Sequence, residues 1–110
     1  MRLLLDECLP KDLAGQLPGH QVRTVPQAGW ASISNGRLLR LIANSGGFDV
    51  FMTMDKNLPH QHRVKSLPIA VVILRAKSNR LEHVFPLAPE LLRRLPEFRP
   101  GQVYVVPRGG

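Results

Sequence analysis

Residues 49–58 read DVFMTMDKNL. Six residues, almost all apolar, run without alternation into Asp55, and Lys56 follows at once. A short continuous apolar run reads as a strand covered on both faces, as in a parallel sheet. The N-terminus has the same form: in MRLLLDECLP, residues 1–10, an apolar run ends in Asp6 and Glu7. Two buried strands that both stop at carboxylates decide the reading of the chain, because in parallel sheets ligands bind beyond the carboxyl ends of the strands.

The intervening segments alternate in type. Leu9, Leu13 and Leu17 recur every four residues in LPKDLAGQLPGH, which predicts a helix opened by Pro10 and closed by Pro18-Gly19. HQVRTV, residues 20–25, predicts a second strand, and residues 26–34 a loop containing Gly29 and Trp30. Asn35-Gly36 marks a turn or a helix cap. RLLRLIANSGG then places Leu38, Leu39, Ile42 and Ala43 on one helical face, with Gly46-Gly47 as the stop. Residues 56–66 predict a short helix or loop, and PIAVVIL, residues 68–74, a fully buried strand. SNRLEHVFPLAPELLRRL predicts a helix capped by Ser78 or Asn79 and split at Pro86 and Pro89. QVYVV predicts a last strand, with PRGG as a frayed tail. This order predicts one α/β domain over residues 1–110, a three-layer sandwich with a mainly parallel five-stranded sheet.

Composition narrows the function. The chain has 110 residues, 44% of them apolar, but only one Trp, one Tyr and four Phe, so the core is aliphatic. No apolar run approaches the roughly 20 residues of a membrane helix. The N-terminal LLL is too short for the apolar region of a secretory leader, and Asp6 interrupts it. Cys8 is the one cysteine, which excludes an internal disulfide and suits the cytoplasm. The formal charge is +7, and it is segregated: no acid lies between Asp12 and Asp49, and residues 56–80 hold six bases and no acid. That pattern fits either a solvated basic surface or attraction to nucleic acid or an acidic protein.

If strands one and three are neighbours, Asp6, Glu7 and Asp55 share a crevice. Crowded carboxylates are relieved by a raised pKa or by a bound cation. Hard divalent ions such as Mg²⁺ and Mn²⁺ prefer carboxylate oxygen and water, and can activate a water against a phosphodiester. Taken singly, Asp6 reads as an N-cap or loop acid, and Asp55 as a cap on the N–H of Asn57 or Leu58.

LLLDECLP, GW with NGRLLRLI, FDVFMTMDKNL, Gln61 and the long C-terminal helical stretch together resemble a small PIN-like family of bacterial proteins. The resemblance covers nearly the whole chain. It implies a PIN-like fold and a metal-dependent ribonuclease akin to the toxins of toxin–antitoxin pairs. It further implies RNA as substrate, Mg²⁺ or Mn²⁺ as weakly bound cofactor, and a small antitoxin as partner; a homodimer is a further candidate assembly. By matching motifs, Asp6 and Asp55 are the metal ligands and Glu7 a supporting acid.

The chain departs from the broader PIN-like pattern at the start of the middle helix. An acid is usual there, whereas SISNGRLL offers Asn35. Asp49 cannot substitute, because six residues of strand hold it roughly 20 Å from Asp55. Two readings follow: a nuclease with a thinly charged metal site, or a catalytically impaired module that binds RNA or protein. Asn35, Arg37, Lys56, Asn57 and Gln61 are candidate substrate contacts. Lys56 also reads as a residue that pairs with an acid and replaces the cation. His60 and His62 are expected to face solvent or RNA, and Cys8 to act as a small buried hydrophobe. Trp30 reads as a base-stacking side chain or a loop anchor. Arg93, Arg94 and Arg99 are expected to form a solvated or partner-facing surface. A phospho-receiver domain is a third reading, but QVYVVPRGG lacks the lysine it needs and ILRAKSN offers only a displaced Ser78.

Overall fold

A computed structural model of the chain describes residues 1–108; the last two residues of the expected PRGG tail lie outside the described residues. Five strands form one sheet: β1 (Arg2–Leu5), β2 (Gln21–Thr24), β3 (Val50–Thr53), β4 (Ala70–Leu74) and β5 (Val103–Val106). Their order is β2-β1-β3-β4-β5, and every pairing is parallel. The sheet expected to be mainly parallel is parallel throughout. Its strands all end at one edge, with Leu5 opposite Met52 and Thr53 opposite Ile73.

The aliphatic run of each central strand is divided between two cores. Leu3, Leu5, Val50, Met52, Val72 and Leu74 face one layer, and Leu4, Phe51, Val71 and Ile73 face the other. This is why β1, β3 and β4 show no polar alternation: water reaches neither face. The second layer is built on α1 (Asn35–Ser45), which buries Leu38, Leu39 and Ile42 and ends at Gly46 with φ 65°. A single turn, α2 (Leu58–Gln61), adds Leu58. Trp30 and Phe48 meet edge to face, their ring centroids 6.0 Å apart, against this core. The loop-anchor reading of Trp30 describes its packing.

The first layer is less regular than its sequence pattern. Leu9, Leu13 and Leu17 are all buried on one side, as their spacing requires. The backbone between them, Lys11–Gln16, is nevertheless 3₁₀, with Leu13 N bonded to Pro10 O and Leu17 N to Ala14 O. Proline at both ends and Gly15 inside leave no room for a settled α-helical run. The C-terminal helical stretch is broken where Pro86 and Pro89 predict, into α3 (Leu81–Val84), a 3₁₀ turn (Phe85–Leu87) and α4 (Ala88–Arg94), followed by a 3₁₀ turn (Leu95–Glu97). Ser78 Oγ accepts the Arg80 N–H ahead of α3.

Arg94 departs from the solvated surface expected of it. It is 9% exposed, donates from Nη1 to Val105 O at 2.6 Å and to Glu90 Oε2 at 3.0 Å, and lies 5.6 Å from the centre of the Phe98 ring. Its guanidinium ties α4 to β5, while Arg93 and Arg99 are exposed as expected. Among the described residues no helix is long and apolar enough to cross a membrane.

Candidate functional site

The chain runs from β1 to β2 on one side, then crosses back to place β3 on the other side of β1. The carboxyl ends of β1 and β3 therefore form the topological switch point of the sheet, where such folds open a crevice. Asp6 follows β1 directly and prolongs its pairing by donating its N–H to Met52 O at 2.9 Å. It is 9% exposed. Thr53, the last residue of β3, is fully buried beside it.

Thr53 joins the two acid positions. Its hydroxyl donates to Asp6 Oδ2 at 2.6 Å, and the same oxygen accepts the Asp55 N–H at 3.1 Å. One hydroxyl thus spends its donor on the first carboxylate and a lone pair on the backbone of the second. Asp6 Oδ1 accepts the Glu7 N–H at 2.8 Å. Asp55 Oδ1 accepts the Asn57 N–H at 3.0 Å, which is the local capping bond that an isolated acid would make. Its other oxygen, Oδ2, accepts from Asn35 Nδ2 at 2.9 Å. Asn35 is the first residue of α1, so the second layer delivers an amide to the acid from the third strand.

Three of the sequence candidates therefore meet: Asp6 and Asp55, joined through Thr53, and Asn35 on Asp55. Glu7 turns elsewhere. It is exposed, and its carboxylate accepts the Ser32 N–H at 3.1 Å, anchoring a loop in which Ser32 holds a left-handed φ of 62°. Among the described residues no group of three or more His, Cys, Asp and Glu side chains is gathered as a metal cage. Asp49 lies at the opposite end of the sheet, clasped by Arg2 at 3.1 Å. Lys56 is exposed and makes no ion pair among the described residues, so it does not stand in for a cation. Arg37, Asn57 and Gln61 are also exposed.

Two features of the site were not assigned to it in the sequence. Thr53 is one; its signal is a hydroxyl inside an otherwise apolar strand, two residues before Asp55. Cys8 is the other. Its Sγ lies 3.5 Å from Asp6 Oδ2 and 3.8 Å from Thr53 Oγ1. Burial pushes its thiol above the ordinary value and the Asp6 charge acts the same way, against hydrogen bonds from the Met54 backbone and Thr53. The half-buried Cys8 is a wall of this site as well as the small apolar filler expected.

The donor chemistry fits a hard cation. Asp6 and Asp55 keep lone pairs beyond those engaged above, all the donors are oxygen, and Mg²⁺ commonly binds through one or two carboxylates and retained waters. Comparison with protein-family models, with curated proteins and with solved structures returned no match.

Proposed function

We propose that the chain is a PIN-like, metal-dependent ribonuclease whose Mg²⁺ or Mn²⁺ is held weakly by Asp6 and Asp55. The observation that supports this most is the pair of acids set at the β1/β3 switch point, with the Thr53 hydroxyl bonded to the Asp6 carboxylate and to the Asp55 backbone N–H. When bound, such an ion supplies charge neutralisation at a phosphodiester oxygen and an acidified water. The protein's part is positional. Thr53 fixes the Asp6 carboxylate, Asn57 and Asn35 fix that of Asp55, and Asn35 Oδ1 is left to orient a water or a ribose hydroxyl. Lys56 and Arg37, exposed beside Asp55 and Asn35 in sequence, supply cations for the substrate's phosphates.

RNA cleavage in Mg²⁺ and in Mn²⁺, with Asp6→Asn as control, tests this reading. Cleavage by the parent and none by the variant is the expected result; equal activity in both removes the idea. The role of toxin in a toxin–antitoxin pair is tested by growth arrest on expression of the parent and not of Asp6→Asn.

A second reading is a non-catalytic RNA- or protein-binding module on the same fold. The Asn35 amide on Asp55 favours it, because it satisfies the carboxylate without a cation. Calorimetric titration separates the two: micromolar Mn²⁺ binding that is lost in Asp55→Asn counts against the module.

A further inference from the structure

A cavity of about 700 Å³ lies outside the carboxylate site, between α2 with the segment that follows it and the start of edge strand β5. Its floor includes Val103, which at 37% exposed is one of two large hydrophobic residues left open to solvent among the described residues. Its walls carry His60, His62, Arg63 and Lys65, with Gln61 and Gln102 between them and no acid in the lining. All of these but Gln102 belong to the stretch 56–80, which holds six bases and no acid.

One end of this groove lies against the first turn of α1. A Cβ placed on Gly36 would lie 3.1 Å from His62 Cε1, so the His62 ring rests directly on the first turn of α1. The preceding residue is Asn35, whose amide holds Asp55. His62 thus packs one residue along α1 from the amide that holds Asp55.

We propose that this groove seats the phosphodiester backbone of a single-stranded nucleic acid and feeds it toward the carboxylates. Arg63 and Lys65 offer fixed cations to phosphates. The two imidazole rings offer faces for base stacking, and the two glutamine amides bond base edges without demanding one sequence. Duplex RNA is gripped over roughly 16 base pairs, whereas the whole chain is 31 Å in its longest direction. An acidic peptide would satisfy the cations, but it would leave the imidazole faces without planar partners.

The inference rests on the nuclease reading for the purpose of the groove, while its test is independent of cleavage. A fluorescent 12-nucleotide oligouridylate and the matching oligothymidylate are titrated in EDTA, and anisotropy is followed against salt. The parent is expected to bind both, more weakly as salt rises. Arg63→Ala with Lys65→Ala is expected to weaken binding at least tenfold. It should also reduce the salt slope by about 1.4, since each single-strand phosphate contact contributes about 0.7. Arg93→Ala with Arg99→Ala removes the same charge from exposed positions outside the groove and is expected to change binding less than threefold. The titration is run in EDTA, without metal-dependent cleavage, so a failed nuclease and a failed groove give different results. Equal loss in the two double variants, no loss in the first, or binding of a polyglutamate peptide in place of the oligonucleotides would overturn the proposal. Binding of oligouridylate alone would place recognition of the ribose hydroxyl in the same groove.

Discussion

Asn35 Nδ2 lies 2.9 Å from Asp55 Oδ2, a bond that joins the start of α1 to the end of β3 across twenty residues. The amide donates a hydrogen bond to a carboxylate that a third acid would crowd.

Asn35→Asp converts this bond into a like-charge contact. Without metal the variant is expected to lose about 1–3 kcal/mol of stability, the cost of an unmade bond at a half-buried carboxylate. With Mn²⁺ that loss should reverse, and affinity for the ion should tighten at least about tenfold, or ~1.4 kcal/mol. Urea unfolding with and without EDTA, together with calorimetric titration, reads both effects. Unchanged affinity would show that Asn35 does not border the ion.

Thr53→Val keeps the shape of a fully buried side chain and deletes the hydroxyl that Asp6 and the Asp55 N–H share. A destabilisation of about 1–3 kcal/mol is expected from the unsatisfied groups, along with loss of any cleavage. Thr53→Ser should retain most of both. A Val variant as stable and active as the parent would mean that the hydroxyl does not organise the site.

Cys8 is the one thiol, and burial raises its pKa. Its alkylation by iodoacetamide at pH 7.5 is expected to be at least about tenfold slower in the folded chain than in urea. The native rate should climb only above the ordinary thiol range. Equal rates in the two states would place the sulfur in open solvent.

Asp49 titrates below the ordinary carboxylate value, first because the Arg2 side chain donates to it and next because the Arg2 backbone N–H does. A lowered folded pKa gives stability that is complete above the unfolded value of about 3.9 and is lost as pH falls through the folded one. Asp49→Asn should therefore have a lower urea midpoint than the parent at pH 7. The gap should close as pH falls below that range, and should narrow in 1 M salt because the pair is exposed. A gap independent of pH would mean that ionisation of Asp49 does not carry the effect.

Gly101 has φ 78°, and a Cβ there would stand 2.5 Å from Lys65 O. Its N–H also donates to Ile69 O at 2.8 Å. Gly101→Ala is expected to cost about 1–3 kcal/mol from the left-handed backbone alone, and more from the carbonyl contact. Thermal unfolding measures it; an unchanged midpoint would mean that the segment relaxes freely.

The strands were legible because β1, β3 and β4 are covered on both faces and so carry unbroken apolar runs. Asp6 and Asp55 were legible for the same reason, as each is the first acid after such a run. The 3₁₀ backbone of Lys11–Gln16 was not, since three leucines spaced four residues apart report which face is buried and not how tightly the backbone is wound. Glu7 looked like part of the acid group because it adjoins Asp6. Successive residues past a strand point to different sides, and the Ser32 N–H, 25 residues away, captures it. Arg94 looked solvated because its burial depends on a carbonyl of β5, a partner 11 residues off that no local pattern announces.

The position of β1 between β2 and β3 also bears on how the chain is made. During synthesis β1 acquires its β2 neighbour early, but its other edge stays open until residues 50–53 emerge. Asp6 waits still longer for its environment, because the hydroxyl that fixes it lies 47 residues downstream. A nascent or truncated chain ending before Thr53 therefore carries the first carboxylate without its partners. Whatever chemistry the site performs is withheld until Thr53 has been synthesised and the central pairing has closed.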